Sequence, residues 1–384
     1  ERTIKNIERL EVSPSRDTVV RLIEVEELNL SWADVLAEPA KQNADSSSDN
    51  YNCYIPHGYD PVRMVQQLGQ MLNGPGGHIE QTFVYLEHRS AIAYLSMGHD
   101  PNYVARYRAI FPLAELAQSA VALCEDATLK VVALGPGDGN LEVRFVQQLL
   151  SESKCPDIEL VLFDISQPLL NAAYQHALDT FGEQSPVHTL MIQGNLHDLA
   201  SYPQVSYAPA KGRRRRIYTM LGNTVANLDH EPLFFQNAFS GAALGDMLLF
   251  DLDFGYTTVA DADEIRRKDP VLQKPVGELH QRFLGGPIQR YCQDAQSVSF
   301  SYRIDTDRPI AGSYGLQFIA TVGLPGKRTK EFCMIQARRY EPKSVIRCLA
   351  KFGWESLGMF SFTGSETRPR GLFLFQKKLP KNQH

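Results

Sequence analysis

The sequence lacks the residue patterns that mark disulfide frameworks and zinc sites. Six cysteines occur among 384 residues, none of them in a C-x-x-C pair, and the ten histidines show no H-E-x-x-H spacing. The cysteines are Cys53, Cys124, Cys155, Cys292, Cys333 and Cys348. We therefore expect no disulfide framework, no protein-bound metal and a reducing, cytoplasmic environment.

Long apolar runs and a strong excess of one charge are also absent. No window of about 18 uncharged apolar residues occurs, so no membrane span is predicted. The opening ERTIKNIERL has no apolar stretch, so we expect no signal peptide. The net charge of −5 gives no argument for nucleic-acid binding, and a small molecule is the expected partner. The RRRR run at 213–216 is interpreted as a solvated loop that enters a strand.

Helical spacing of apolar residues dominates the first third of the chain. Helices are predicted at 60–72, 79–97 and 111–126, and the polar stretch at 37–52 is predicted to be a loop. From about residue 128, predicted strands and helices alternate. The five strands are LKVVALG, IELVLFD, VHTLMIQG, RRIYTMLG and DMLLFDLDF. This alternation predicts an open α/β fold with a parallel sheet covered on both faces.

The pattern changes after residue 255. SVSFSYRID, YGLQFIATVGL and KEFCMIQARRY alternate apolar and polar residues as antiparallel strands do. A helix is predicted at 341–355, ended by Gly353, and a last strand at 370–378.

A glycine-rich turn, GPGDG at 135–139, follows the first predicted strand and precedes a helix. Ligands bind at this end of parallel sheets, and Gly135, Gly137 and Gly139 would let the backbone approach one. No Lys-Ser/Thr follows, which excludes a P-loop. Asp164 ends the second strand, where a carboxylate can accept hydrogen bonds from both hydroxyls of a ribose. Together these features indicate a site for S-adenosylmethionine.

Two alternatives remain for these residues. One is a plain tight turn with Asp164 as a helix N-cap. The other is a nicotinamide site. Two features argue against it, because the third glycine is one place early and Asp138 would repel a pyrophosphate. After the third strand, Asn195 is expected to pair with the adenine edge and Leu196 to pack on its ring, the alternative being a polar loop.

The stretch LGNTVAN, at 221–227, follows the fourth strand. It resembles the LG-(S/N)-T-(I/V)-x-N motif of the histidine-specific, S-adenosylmethionine-dependent methyltransferase family. That family makes the trimethylated histidine of ergothioneine synthesis and includes fungal relatives that methylate the amine of a prenylated tryptophan. The resemblance spans about 128–255 and includes the glycine turn and Asp164. It implies an α/β fold: a Rossmann-like class I methyltransferase sheet with a second, smaller α+β lid domain.

The resemblance and the change of pattern near residue 255 together suggest four segments. They are an N-terminal helical cap that forms part of the lid (1–111), the S-adenosylmethionine-binding domain (112–255), a lid or substrate insertion with antiparallel strands (256–340), and a C-terminal helix and strand that complete the core sheet (341–384).

The resemblance also implies roles for single residues. Gly222 and Asn223 would contact the cofactor, and Asn227 would hold the carboxylate and amine of an amino acid, since an amide both donates and accepts. DPNYVARY, at 100–107, is similar to a family segment that would place Tyr103 near the ligand. Tyr85, on a predicted N-terminal helix, is a candidate lid contact with the substrate.

The family's Glu and Ser that bind the imidazole correspond here to Ile335 and Ala337. A buried histidine ring would lose both partners, at roughly 1–3 kcal/mol each. Histidine is therefore not the expected acceptor. We expect transfer of a methyl group to the amine of another small amino-acid-like molecule, in secondary metabolism, with S-adenosylhomocysteine as the product.

Several side chains could assist this transfer. The candidates for relaying the proton of the attacking amine are Asp229, His230 and Asp253. Asp253 is also a candidate for binding and positioning the substrate amine, with helix capping as the alternative. The candidates for stabilising the sulfonium charge are Tyr103, Tyr85 and Tyr218.

Two other functions remain open. The cofactor's own amine could attack its γ-carbon and release methylthioadenosine, which would give azetidine-2-carboxylate. Alternatively, the chain could be a non-catalytic module that binds S-adenosylmethionine, because fold alone does not show catalysis.

Overall fold

The computed structural model describes residues 53–55, 60–101, 103–104, 111–123, 128–152, 157–182, 185–202, 205, 214–256, 261–307, 309–363 and 369–378. They all belong to one unit, Asn52–His384. The loop predicted at 37–52 lies outside the described residues. No helix in the described ranges is long and apolar enough to cross a membrane.

The described residues form ten α-helices and twelve β-strands. The helices are α1 (Pro61–Asn73), α2 (Gln81–Leu86), α3 (His88–Gly98), α4 (Leu113–Ala122), α5 (Asn140–Glu152), α6 (Gln167–Phe181), α7 (Glu231–Ala238), α8 (Ala262–Lys268), α9 (Glu278–Tyr291) and α10 (Pro342–Ala350). The strands are β1 (Cys53–Tyr54), β2 (Gly77–His78), β3 (Thr128–Leu134), β4 (Ile158–Asp164), β5 (Val187–Gln193), β6 (Arg214–Met220), β7 (Met247–Asp253), β8 (Ser297–Asp305), β9 (Tyr314–Leu324), β10 (Arg328–Arg339), β11 (Trp354–Thr363) and β12 (Pro369–Lys377).

An eight-stranded sheet, in the order β1-β5-β4-β3-β6-β7-β12-β11, forms the core. Six strands of this sheet run parallel, namely β1, β5, β4, β3, β6 and β7, whereas β12 is antiparallel to β7 and to β11. The predicted α/β fold with a parallel sheet and helices is confirmed. Apolar side chains are buried on both faces of the sheet, in two separate clusters. Because the chain turns in opposite directions on either side of β3, the crevice of this fold lies at the carboxyl ends of β3 and β6.

A second sheet, in the order β2-β10-β9-β8, packs against α1, α2, α3 and α9 through its own apolar cluster. The three predicted antiparallel strands are β8, β9 and β10. Side chains of β9 alternate between the two faces of this sheet, so Leu316 and Phe318 face one side and Gln317 and Ile319 the other. The role of this sheet and its helices as a lid stays a prediction.

Three local predictions were wrong. The helix expected at 79–97 is broken at Glu87, whose buried carboxylate accepts a hydrogen bond from the Ser90 N–H (2.9 Å) and caps α3. The helix expected at 341–355 ends at Ala350, and β11 begins at Trp354. The RRRR run is not simply a solvated loop, because Arg216 lies within β6 and forms a buried ion pair with Asp246 (2.6 Å).

Candidate functional site

The glycine turn joins the central strand β3 to α5. Gly135, Gly137 and Gly139 have φ angles of 65°, 59° and 74°, in the left-handed region that favours glycine. The Gly135 N–H donates to the Phe163 carbonyl (2.8 Å), which fixes the turn to the end of β4. A side chain at Gly139 would lie 2.9 Å from the Ala173 Cβ, so α6 requires glycine there.

Substitution of Gly139 should therefore destabilise the fold measurably. Gly139→Ala places a Cβ in a left-handed conformation and against α6, and we expect a loss of about 1–3 kcal/mol in the free energy of unfolding. Urea denaturation followed by circular dichroism would measure it. Gly326→Ala is the control, because Gly326 also has a positive φ (74°) but has open space around it. Equal losses in both variants would show that α6 imposes no constraint at Gly139.

Asp164 ends β4 beside this turn and is 6% exposed. Its Oδ1 accepts a hydrogen bond from the Ser166 N–H (2.9 Å), and the carboxylate also accepts from the backbone N–H groups of Gly137 and Ile165. Burial outweighs these bonds and raises the pKa of the carboxyl group to about 6. Asp164 does not act as the side-chain cap of α6. It presents a buried acceptor next to the glycine turn, as a ribose contact would require.

Asn195 and Leu196 follow β5. Asn195 caps a short 3₁₀-helix, Leu196–Ser201, by accepting a hydrogen bond from the His197 N–H (3.0 Å). Leu196 is buried, and its Cδ1 would lie 3.8 Å from a Cβ at Gly135. Leu196 therefore lies against the glycine turn, whereas the Asn195 side-chain oxygen already has a backbone partner. Their contact with adenine stays a prediction.

The LGNTVAN segment turns back over the end of β6. Asn223 has a φ of 69°, and its N–H donates to the Asp251 carboxylate (3.1 Å) on β7. A 3₁₀-helix follows, Thr224–Asn227, with the Thr224 hydroxyl bonded to the Leu221 carbonyl (3.0 Å). This geometry points Asn227 away from the sheet, toward α2.

A cavity of about 340 Å³ connects these elements with the second sheet. Gly222, Asn223, Asn227 and Asp253 line it at the end of the core sheet, and Tyr85 and Tyr103 line it from the N-terminal region. The Tyr85 side chain is hydrogen-bonded to the Asn227 side chain. Burial raises the pKa of the Tyr85 phenol, so Tyr85 stays neutral. The cavity thus brings together six of the residues predicted from the sequence.

Tyr94 of α3 was not predicted and closes one side of the turn. A Cβ at Gly137 would lie 2.9 Å from its ring and hydroxyl, so the phenol lies directly on the glycine turn. Asp164 is adjacent but does not line the cavity, whereas Pro136 and Asp138 of the turn do.

The wall of the cavity that the second sheet and α9 form is aromatic, and it was also not predicted from the sequence. The Tyr302 ring stands edge-on to Phe318 (4.9 Å between centroids), and the His280 ring stacks on Phe318 (5.9 Å). Ile335 and Ala337 of β10 line the same wall. The two positions assigned from the resemblance to imidazole binding therefore do face the cavity, but with apolar side chains.

A buried network of ion pairs forms the floor of the cavity. Asp253 contacts Arg370 Nε (2.8 Å) and Arg339 Nη1 (3.0 Å), and Arg370 also contacts Asp251 (2.6 Å). Arg339 lies 3.8 Å from Asp269, so three carboxylates surround two guanidinium groups. The network gives Asp253 two cationic partners. Proton relay through Asp253 would compete with both arginines.

Three of the candidate residues predicted from the sequence lie outside the cavity. His230 is exposed, and its Nδ1 accepts a hydrogen bond from the Leu233 N–H (3.2 Å) at the start of α7. Asp229 pairs with His78 (2.9 Å). Tyr218 is 2% exposed and packs on Phe239 in the core. None of the three lines the cavity, so the proposed roles of Asp229 and His230 in proton relay and of Tyr218 beside a sulfonium are not supported.

No metal-binding group of three or more His, Cys, Asp or Glu residues occurs in the ranges that the structure describes. No protein-family model matches the chain, and no curated protein matches it.

Several solved structures have a similar fold. An S-adenosylmethionine-dependent methyltransferase from Clostridium acetobutylicum is 13% identical, with 74% of this chain and 98% of that chain covered and a TM-score of 0.41. A 1,6-didemethyltoxoflavin-N1-methyltransferase from Burkholderia thailandensis is 8% identical, with 76% and 90% covered and a TM-score of 0.37. An amino pentose methyltransferase from Micromonospora echinaspora is 14% identical, with 69% and 90% covered and a TM-score of 0.33. Similarities this low give no residue-by-residue correspondence.

Proposed function

We propose that this protein is an S-adenosylmethionine-dependent methyltransferase that acts on the amine of a small amino-acid-like molecule. The main observation in support of this proposal is the position of Asn227. Its side chain, held by Tyr85, lies in a cavity that reaches from the glycine turn to the second sheet. The cofactor and the acceptor would meet in that cavity.

The residues at the end of the core sheet fit S-adenosylmethionine. The three glycines add no Cβ of their own to the turn, so its backbone is accessible to a ligand at close range, and Asp164 offers a buried carboxylate that can accept from a ribose diol. When bound, S-adenosylmethionine would supply the methyl group and the sulfonium leaving group.

The chain itself would contribute alignment and exclusion of water. Asn227 would orient an amino-acid-like ligand through its carboxylate and amine, and Tyr85 would fix the amide in place. Tyr85 and Tyr103 would place aromatic faces near a positive charge. The buried aromatic wall would keep water from the reacting amine.

Histidine is not the proposed acceptor. Ile335 is 7% exposed and, like Ala337, presents only carbon atoms to the cavity. An imidazole against these side chains would leave its N–H without an acceptor, at a cost of about 1–3 kcal/mol. The same apolar surface would suit an acceptor without polar groups on its side chain.

A reaction confined to S-adenosylmethionine is the second candidate, and the lack of polar side chains at 335 and 337 favours it. Asn227 would then orient the cofactor's own amino-acid tail. The extent of the cavity beyond Asn227, as far as Phe318, favours a separate acceptor instead.

The nucleoside product distinguishes the two reactions. The protein should be incubated with S-adenosylmethionine alone and then with a panel of amino acids and related amines, with mass spectrometry of both products. We expect S-adenosylhomocysteine, formed only when an amine acceptor is added. Methylthioadenosine formed without an acceptor would establish cyclisation instead, and binding without turnover across the panel would indicate a non-catalytic module.

A further inference from the structure

A second cavity lies on the opposite face of the second sheet from the proposed transferase site. Its volume is about 340 Å³, and Gln317 and Ile319 of β9 line it, whereas Leu316 and Phe318 line the first cavity. His78, Arg303 and Cys333 complete its lining together with Gly77 and Glu331. It holds a thiol, an imidazole and a guanidinium group that the proposed function does not use.

The thiol and the imidazole are placed by neighbouring strands. Strand β2 runs parallel to β10 with His78 opposite Cys333, and the His78 ring is hydrogen-bonded to the Cys333 side chain. On its other side, His78 Nε2 donates to Asp229 Oδ1 (2.9 Å). The result is a Cys-His-Asp arrangement in which an acid orients the imidazole and the imidazole faces the sulfur.

The charge of the imidazole makes this arrangement suited to thiol chemistry. The hydrogen bonds with Asp229 and Cys333 raise the pKa of His78 to about 10, so the ring is cationic at neutral pH. A cation beside the sulfur can stabilise the negative charge that sulfur carries while it attacks a disulfide. Arg303 and Glu331, both about half exposed, form an ion pair at the surface of the same cavity. The guanidinium group has five N–H donors, so Arg303 can also bind a carboxylate on an incoming molecule while it stays paired with Glu331.

We propose that Cys333 is a modification site, which reacts with small disulfides that carry carboxylates. The Cys333 thiol gives up its proton to solvent water, its sulfur attacks one sulfur of the disulfide, and the disulfide bond breaks as a mixed disulfide forms. The other half leaves as a thiolate and takes up one proton from solvent, so the protons balance. Cys333 is oxidised and the small disulfide is reduced, so the exchange needs no other reactant.

The other described cysteines without a disulfide provide internal controls. Burial raises the pKa of the Cys292 and Cys348 thiols, and neither residue lines this cavity. The full chain would be incubated with glutathione disulfide, and the modification of each cysteine followed over time by peptide mapping and mass spectrometry. We expect Cys333 to react at least tenfold faster than Cys292 or Cys348. A rate at Cys333 equal to or below theirs would overturn the proposal.

A variant tests the part played by the imidazole. His78→Gln removes the cation but keeps a polar side chain, and we expect the rate at Cys333 to fall at least tenfold. Unchanged rates at Cys292 and Cys348 in the same sample would show that the fold is intact. A Cys333 rate in the variant equal to that of the unmodified sequence would also overturn the proposal. Neither measurement depends on methyltransferase activity, so the proposed function is tested separately.

Discussion

Asp164→Asn should raise the dissociation constant of S-adenosylmethionine 10- to 100-fold at neutral pH, or about 1.4–2.7 kcal/mol. A ribose diol has two O–H donors, and an amide offers one acceptor oxygen in place of two. The variant should fold, because the amide oxygen can still accept from the Ser166 N–H. Calorimetric titration would measure the affinity. The control is Asp263→Asn, a carboxylate whose side chain is 87% exposed; an unchanged affinity for the Asp164 variant would remove Asp164 from the site.

The same carboxylate predicts how cofactor affinity depends on pH. Because the pKa of Asp164 is raised to about 6, the group gains a proton as the pH falls through 6 and then has a weaker acceptor for the diol. The affinity of the unmodified sequence should therefore fall below about pH 6. The affinity of the Asn variant should change little over the same range, because no proton binds at position 164.

Asn227→Ala should lower turnover at least 100-fold while changing the affinity for S-adenosylmethionine less than threefold. The amide is the group proposed to hold the acceptor's carboxylate and amine, and its loss misaligns the attacking nitrogen. Steady-state kinetics with the acceptor found in the product assay would give turnover, and titration would give the affinity. Asn237→Ala, which removes an exposed amide on α7, is the control.

The outcome for Asn227 also separates the two candidate reactions. A parallel loss of cofactor affinity and turnover would mean that Asn227 binds the cofactor's tail and not a second substrate. That result would favour cyclisation and contradict the proposed transfer to an external amine.

Much of the core fold is visible in the sequence because its signals are local. The five buried strands and the glycine turn are contiguous runs whose composition reflects burial on both faces. Strand β11 was missed because WESLGMFSFT lies at the edge of the sheet, with several exposed positions and a register shift near Gly358. The break at Glu87 depends on a buried carboxylate that bonds the next turn, which helical periodicity does not show.

The site was predicted less completely, because its contacts are long-range. Asp251 and Arg370 lie 119 residues apart, and His78 and Asp229 lie 151 residues apart. Neither pair shares a motif. Tyr94 has the same difficulty, because only the packing of α3 on the glycine turn gives it a position near a ligand. The resemblance pointed to positions 335 and 337, which line the cavity, but the aromatic side chains on the same wall lie in segments where no motif was recognised.

The burial of Asp164, which the proposed ligand site requires, lowers the stability of the fold. A carboxyl group whose pKa rises from 3.8 to about 6 on folding binds protons more tightly in the folded chain. Its contribution to the free energy of unfolding therefore falls as the pH rises from about 4 to 6, and the cost above pH 6 is about 3 kcal/mol. Replacement by Asn removes that cost. The variant that binds the cofactor less tightly should thus be the more resistant to urea, as is expected where a protein keeps an unfavourable group for its function.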